Sequence, residues 1–106
     1  MSLLPNPTAT ITEHFAKLKD PRVDRTKRHL LTDILTITIC AVICGADSWT
    51  DVEDFGLCKE RWFKTFLKLP HGIPSHDTFG RVFAALDWEM FSACFTQWIN
   101  AVCEIS

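Results

Sequence analysis

Six basic residues crowd into one short stretch of this 106-residue chain. The segment 17–28 holds six cations and two acids, a net charge of +4, whereas the remaining five cations and eleven acids give −6. Lysine and arginine neutralise phosphates, so the segment predicts contact with a local anionic partner. A solvated basic loop explains the same composition equally well. The candidate phosphate contacts are Arg22, Arg25, Lys27 and Arg28.

A second candidate is the run 72–83, which predicts a rigid turn entering a helix. Pro74 fixes φ ahead of the first turn, and the Ser75 hydroxyl can cap the orphan amides. The inner face of this helix carries Phe79, Val82, Phe83 and Leu86, and the outer face carries His76, Asp77 and Arg81. Ser75, His76 and Arg81 could therefore approach a DNA groove or a backbone phosphate.

Two polar clusters could in principle hold a metal or move protons. His76 and Asp77 are adjacent, with His71 nearby, but neighbouring side chains on a helix diverge. A helix start, with an i,i+4 pair from Asp77 to Arg81, is the favoured interpretation. The acids Asp47, Asp51, Glu53 and Asp54 occupy the beginning of another helix, where they match its dipole.

Cysteine usage favours a reducing environment. There are five cysteines, an odd number, and no C-x-x-C pair. Cys40 and Cys44 lie one helical turn apart and could share a metal, but no second pair accompanies them, so buried thiols are predicted.

The hydrophobic periodicity predicts an all-α fold, a compact bundle of about five helices. Residues 1–10 are interpreted as a flexible lead and 11–106 as the helical domain. The first helix is predicted over 11–18, with Thr10 or Thr12 as its cap and Phe15 and Leu18 inward. The second is predicted over 30–44, ending at Gly45, and its apolar circumference makes it the central element. The alternating residues 34–39 leave a strand as an alternative.

Three further helices complete the predicted bundle. The third helix is predicted to be capped by Ser48 or Thr50 and to run to about Leu67. Residues 70–74 are predicted to form the turn into the fourth helix, which covers 75–86. Asp87 is predicted to cap a fifth helix over 88–103. The inward positions of the third are Val52, Phe55, Trp62, Phe66 and Leu69, and those of the fifth are Trp88, Phe91, Phe95, Trp98, Ile99 and Val102. The third and fourth helices are compatible with a helix-turn-helix pair. The lack of a signal pattern and of a long apolar span predicts a cytoplasmic protein without membrane contact.

The order of several short motifs resembles a known family. These motifs are Glu13-His14-Phe15, Leu18, Asp20-Pro21-Arg22, His29, Leu31, Asp33-Ile34-Leu35, Cys44-Gly45-Ala46-Asp47-Ser48-Trp49, Phe55-Gly56 and the whole run from Gly72 to Phe83. Together they resemble the N-terminal, DDE transposase-associated region of bacterial H-repeat-associated transposases, enzymes of insertion sequences found near Rhs elements. The resemblance covers roughly residues 11–100.

The resemblance implies a part in DNA transposition. In the family, this helical region precedes an RNase H-like domain whose carboxylates hold two divalent metals for strand transfer. The family's first catalytic aspartate lies in an Ile-Asp-Gly-Lys stretch that this chain does not contain. We therefore expect an accessory domain that carries no catalytic residue and no metal or cofactor of its own, with divalent metal expected only in the catalytic domain.

The hypothesis from sequence is a domain that helps to bind or position transposon-end DNA through Arg22, Arg25, Lys27, Arg28, Ser75, His76 and Arg81. Its expected partners are DNA and the catalytic domain of a full-length transposase. A structural or dimerisation module, forming a homo-oligomer or packing on that domain, is the alternative. A remnant of a decayed element is a third.

Overall fold

The structure is a computed structural model that describes the backbone of residues 7–22 and 28–105 and the side chains of 11–22 and 28–101. Its helices are α1 (Pro7–His14), α2 (Leu31–Ile43), α3 (Trp49–Cys58), α4 (Glu60–Phe63), α5 (His76–Ala85) and α6 (Trp88–Ile105). The predicted all-α bundle is confirmed, since the described ranges contain no strand beyond one isolated bridge between Pro70 and Gly72. No helix in these ranges is long and apolar enough to cross a membrane.

The central element is α2, which packs against both α1 and α3. Its residues from 33 to 39 are all buried, so the helix interpretation is confirmed and the strand alternative is wrong. Apolar side chains all round the helix find partners on several sides, which is why β-branched residues are accommodated there. Gly45 follows with φ of +101°, the left-handed conformation expected for a glycine after a helix.

The helix predicted from Ser48 to Leu67 is wrong in extent, because the chain breaks at Lys59 into α3 and α4 and leaves helical geometry after Phe63. The predicted cap at Ser48 is confirmed, its hydroxyl accepting the Asp51 N–H at 3.1 Å. The break turns Phe63 fully into the core and leaves Trp62 46% exposed, so the inward prediction for Trp62 is wrong.

A buried carboxylate fixes the chain after α4. Asp33 is 2% exposed, and its Oδ2 accepts the N–H of Leu69 at 2.9 Å. Leu69 has φ of +41°, a conformation that costs a non-glycine residue about 1–3 kcal/mol. Burial raises the pKa of Asp33, while the backbone amides of Leu69 and Lys68 act in the opposite direction. This contact therefore sets the path of the segment that leads into α5.

Both predicted caps of the last two helices are confirmed. Ser75 accepts the Thr78 N–H at 3.3 Å, and Asp87 accepts the Met90 N–H at 3.1 Å. In α5 the predicted inner face is buried, and Trp49 of α3 packs on it with its indole 5.1 Å from the Phe83 ring.

The prediction for α6 is only partly right. Trp98 is buried and Phe91, Phe95 and Ile99 are half-buried, but Trp88 is 54% exposed at the first turn, where no other helix covers it fully. The side chain of Val102 lies outside the described residues.

The first helix begins and ends earlier than predicted. It covers 7–14, so Thr10 and Thr12 lie inside it and neither is the cap. Phe15 and Leu18 are buried as predicted, although they lie beyond the end of the helix. Pro7 begins α1 because its fixed φ and missing N–H suit a first helical position.

Cys40, in α2, and Cys44, directly after it, differ in environment. Cys40 is half-buried, and burial raises the pKa of its thiol to about 11, with a smaller contribution from Cys44. Cys44 is exposed, so the prediction of a buried thiol is wrong there, because the helix end runs out of the core. Within the described ranges, no three His, Cys, Asp or Glu side chains form a group that could hold a metal.

Candidate nucleic-acid interface

A cleft of about 690 Å³ is formed by Arg22, Arg28 and His29 together with α5 and the loop before it. It is lined by Arg22, Arg28, His29, His71, Ile73, Ser75, Thr78, Arg81 and Val82. Three arginines and two histidines are among these lining residues, and no carboxylate is. The cleft is therefore a concave surface of positive character on a chain whose net charge is −2.

The cleft brings together residues of the two regions that the sequence analysis proposed separately, the basic segment 17–28 and the run 72–83. Four of the seven predicted contacts line it, Arg22 and Arg28 from the basic segment and Ser75 and Arg81 from α5. His76 does not line it. Arg25 and Lys27 lie outside the described residues.

The guanidinium of Arg22 is bound by other groups of the protein. Its Nε and Nη2 donate to the two carboxylate oxygens of Asp20 at 2.9 and 2.7 Å, and Nη1 donates to the His29 carbonyl. The side chain is only 12% exposed. Arg22 therefore links Asp20 to the backbone at His29, and its charge is largely balanced by Asp20.

Arg28 and Arg81 differ from Arg22, because both are exposed and neither forms an ion pair with a residue that the structure describes. The i,i+4 pair expected between Asp77 and Arg81 is absent from the described contacts, since Asp77 Oδ1 lies 3.4 Å from His76 Nε2 instead. Two arginine forks in the lining of one cleft therefore have no ionic partner among the described residues. Such forks match the geometry of phosphate oxygens.

The beginning of α5 is already satisfied by protein acceptors. The backbone N–H of His76 donates to Glu53 Oε1 at 3.0 Å, and the His76 Nδ1 lies 2.9 Å from the same oxygen. The Ser75 hydroxyl takes the Thr78 amide. Glu53 thus occupies the place where an anion would be expected at this helix end, and His76 links α5 to α3.

The electrostatics of His76 follow from this link. Its hydrogen bond to Glu53, and then the charge of Asp77, raise the pKa of His76, and the same hydrogen bond lowers the pKa of Glu53. Both groups are solvent-exposed, so the interaction is screened and supplies little stability. The structure gives His76 a clear position in the fold, away from the cleft.

The helix-turn-helix geometry does not form as expected. The connection from α4 to α5 covers residues 64–75, whereas that motif joins its helices by three or four residues. The added length accommodates Leu67 and Leu69, both buried, and the Asp33 contact. The predicted turn at 70–74 is only the last part of this connection.

Sequence reasoning missed His29 and Thr78 as cleft residues, and considered His71 only for metal or acid–base chemistry. The imidazoles of His29 and His71 meet edge to face, with centroids 6.1 Å apart. Burial lowers the pKa of His29, followed by the positive charges of His71, Arg28 and Arg22. A histidine adjacent to the basic segment, His29, was the available signal.

Two smaller cavities lie elsewhere. One of about 310 Å³ lies between the end of α2 and α3, lined in part by Cys44, Phe55 and Cys58. Another of about 220 Å³ lies between α1 and α2 and is mainly apolar. Neither has arginine or histidine in its lining, so the cleft is the better candidate for an anionic partner.

The acids considered as metal ligands have structural contacts. Asp51 Oδ2 accepts the Asp47 N–H at 3.0 Å, and Glu53 binds His76. These contacts fit the interpretation of a polar helix beginning.

Comparison with known proteins identifies the family. A family model described as DDE_Tnp_1-associated matches residues 12–99. The chain is 49% identical over 98 residues to the "Uncharacterized protein in dhlA 3'region" of Xanthobacter autotrophicus. This alignment covers 92% of the chain and 32% of that protein. It is 40% identical over 90 residues to the "H repeat-associated putative transposase YhhI" of Escherichia coli K12, covering 85% of this chain and 24% of that protein.

A shorter relative, the "Inactive transposase YbfQ" of Escherichia coli K12, is 44% identical over 72 residues, or 68% of this chain and 86% of that protein. The chain spans from 24% to 39% of the length of the first four relatives. No solved structure matches. The resemblance to the H-repeat-associated transposases is confirmed, and the chain belongs to the DDE_Tnp_1-associated family of transposase-associated domains.

Proposed function

We propose that this domain binds and positions transposon-end DNA for a DDE-type insertion-sequence transposase, and does not itself cut or join strands. The observation that carries the proposal is the cleft, which Arg28 and Arg81 both line and in which none of the described lining residues is a carboxylate. The remainder of the chain is acidic, which would restrict DNA to this side of the domain.

The cleft suits the phosphate backbone better than base edges. Its basic groups come from two different segments and so can contact successive phosphates, which fixes orientation and register without reading sequence. Arg25 and Lys27 belong to the same proposed surface by their place in the sequence between Arg22 and Arg28. Ser75 and His76 enter the proposal more weakly, since their polar groups already serve α5.

The chemistry of transposition is assigned to another domain. Asp51 and Glu53 of α3 are engaged with the Asp47 N–H and with His76, which supports a structural interpretation for these two acids. Metal-dependent strand transfer would then belong to the catalytic domain, and the bacterial cytoplasm, where DNA lies, is the proposed place of action.

The test is binding of the purified chain to a duplex carrying the insertion-sequence ends, measured by fluorescence anisotropy over a salt series. Arg28→Ala and Arg81→Ala should each lower the salt slope by roughly 0.9, the value for one phosphate contact. Arg61→Ala is the matched control, because Arg61 is exposed on α4 and absent from the cleft lining. No binding at low salt, or equal effects of all three variants, would refute the proposal.

A second candidate is a module that packs on the catalytic domain or on a second copy. Exposed apolar side chains favour it, including Val42 and Ile43 at the end of α2, 53% and 63% exposed, and Leu57 at the end of α3. Light scattering would separate the candidates, since a dimer that ignores DNA supports the second. The remnant hypothesis expects broad thermal unfolding and aggregation, whereas the continuous core from α1 to α6 leads us to expect one cooperative transition.

A further inference from the structure

His29 stands in an arrangement that the phosphate-contact hypothesis does not by itself explain. Its ring lines the cleft, and its Nδ1 is buried without a hydrogen-bond partner among the described residues. The backbone of Gly72 favours the protonated form of the ring, but burial and the neighbouring cations outweigh it and lower the pKa of His29.

Among the residues that the structure describes, the charged groups that share the cleft with His29 are cationic, and the two carboxylates near it are already bound. Arg22 and Arg28 come from its own segment, His71 comes from the loop before α5, and Arg81 faces the same cleft from α5. Asp20 is the nearby carboxylate, but it is bonded to the Arg22 guanidinium. Asp33, in the first turn of α2, is buried and bonded to Leu69. The surroundings therefore repel a proton from His29 as long as the cleft holds no anion.

We propose that the cleft seats an oxyanion of the phosphodiester class and that His29 takes up a proton when the anion binds. The inference rests on the proposed function, since it takes the same cleft as the DNA-contacting surface, and it adds proton linkage to that contact. An oxyanion bound by Arg28 and Arg81 supplies a negative charge beside His29 that is not already bound to another protein group. Proton uptake converts the neutral ring into the cation, in which both ring nitrogens carry a hydrogen.

The direction of the linkage follows from the sign of the charges. Burial and the neighbouring cations lower the pKa of His29 in the free protein, and a bound anion raises it again. Affinity for the anion must then increase as pH falls through the ordinary histidine range, because the protonated state binds it more tightly. One linked proton gives at most about a tenfold gain per pH unit.

Sulfate is the first probe, because it keeps its charge throughout the histidine range, and a short duplex is the second. Two-dimensional NMR of the imidazole Cε1–H groups would follow each histidine from about pH 8 to about pH 5.5 with and without sulfate, a window that spans the usual histidine pKa. Calorimetry of duplex binding in two buffers of different ionisation enthalpy would count the protons taken up.

The informative variants are His29→Gln and His71→Gln, with His76→Gln as the control outside the cleft. Glutamine is also polar but cannot take up a proton. We expect sulfate to raise the His29 pKa, and duplex binding to take up about one proton in the wild type and in His76→Gln but close to none in His29→Gln. If His29→Gln does not fold, the wild-type NMR titration alone decides the matter.

Each alternative outcome has a distinct meaning. A His29 pKa that sulfate and duplex leave unchanged, or proton uptake that is lost in His71→Gln and kept in His29→Gln, overturns the inference. Duplex binding that is independent of pH overturns it and leaves the proposed function standing. Sulfate binding linked to His29 without any duplex binding supports the anion site and removes the proposed function.

Discussion

His29 and His76 are the same residue type in two regions of one small domain, and their surroundings drive their pKa values in opposite directions. His29 lies in the cleft among cations, and burial and repulsion lower its pKa. His76 lies at the start of α5 against Glu53, and that hydrogen bond raises its pKa. The difference comes from burial and neighbouring cations at His29, and at His76 from the carboxylate of Glu53, which is 23 residues away in sequence.

This contrast separates a surface that lacks an anion from one that already has one. At α5 the protein supplies Glu53, which satisfies both the backbone and the ring of His76. At the cleft, Asp20 binds the lining residue Arg22 and is not itself in the lining. The comparison therefore distinguishes polar residues that stabilise the fold from those that are available to a partner, although the sequence presents both as plausible contacts.

Of the substitutions that test the contrast between His29 and His76, Asp33→Ala should have the largest effect on stability. The change leaves the buried Leu69 N–H without an acceptor and releases the left-handed backbone at that residue, which should cost about 3 kcal/mol of unfolding free energy. Urea denaturation followed by tryptophan fluorescence measures it. Because this segment carries His71 to the cleft, duplex binding should weaken as well, while the His76 pKa stays raised. A stability change no larger than that of a surface substitution would contradict the assignment.

Arg22→Lys should cost less, about 1.5 kcal/mol, because lysine keeps the charge but loses the fork that binds Asp20 and the His29 carbonyl together. Thermal unfolding provides the measurement, with Arg61→Lys as the control on an exposed site. If Arg22 acts chiefly on DNA, the expected pattern reverses, with stability unchanged and only the salt slope of binding altered.

Ser75→Ala tests whether the cleft-lining hydroxyl serves the helix or the ligand. Loss of an N-cap costs about 1 kcal/mol, whereas Ser75→Gly should cost only a few tenths. Duplex affinity at fixed salt should be unchanged in both variants, because the hydroxyl is bonded to the Thr78 amide. A large loss of affinity without loss of stability would return Ser75 to the binding surface.

Glu53→Gln should have the smallest effect on stability and a clear effect on titration. The raised His76 pKa means that the stabilising contribution of the pair is fully present below the unfolded histidine value of 6.5 and is lost as pH rises through the folded pKa. Its acidic limit is set by Glu53, whose lowered pKa means that the contribution is lost as pH falls through that value. In the variant, the NMR-measured pKa of His76 should fall while that of His29 stays low. A parallel shift of His29 would show that the two regions are coupled.

Local signals predicted most of the fold. The caps at Ser48, Ser75 and Asp87 and the glycine stop at Gly45 were read correctly, because each depends on atoms only a few residues away. The break at Lys59 was missed, since it depends on where Phe63 must go to reach the core. Trp62 and Trp88 were misplaced for the same reason: an apolar residue at a helical spacing is buried only if a neighbour is there to cover it.

The candidate site was predicted by residue type but not by arrangement. Charge asymmetry alone selected Arg22 and Arg28, and helix periodicity selected Arg81. Their proximity depends on the long connection between α4 and α5, which no local pattern encodes. His29 was missed because its position beside the basic segment does not show which groups will surround the ring. In the structure, burial and neighbouring cations lower its pKa.

The amino-acid sequence by itself determined the helical class, the central position of α2, the caps, and the family, since these follow from periodicity, short-range hydrogen bonds and motif order. Only the tertiary structure decided which polar groups remain available. Long-range contacts assign Glu53 to His76 and Asp33 to Leu69, and packing brings Arg28 and Arg81 into the lining of one cleft. The Asp20–Arg22 pair is local, but it belongs to the same cleft because Arg22 also lines it. A side chain's charge is fixed by its chemistry, but its partner is fixed by packing, and the partner determines whether that charge is free to bind.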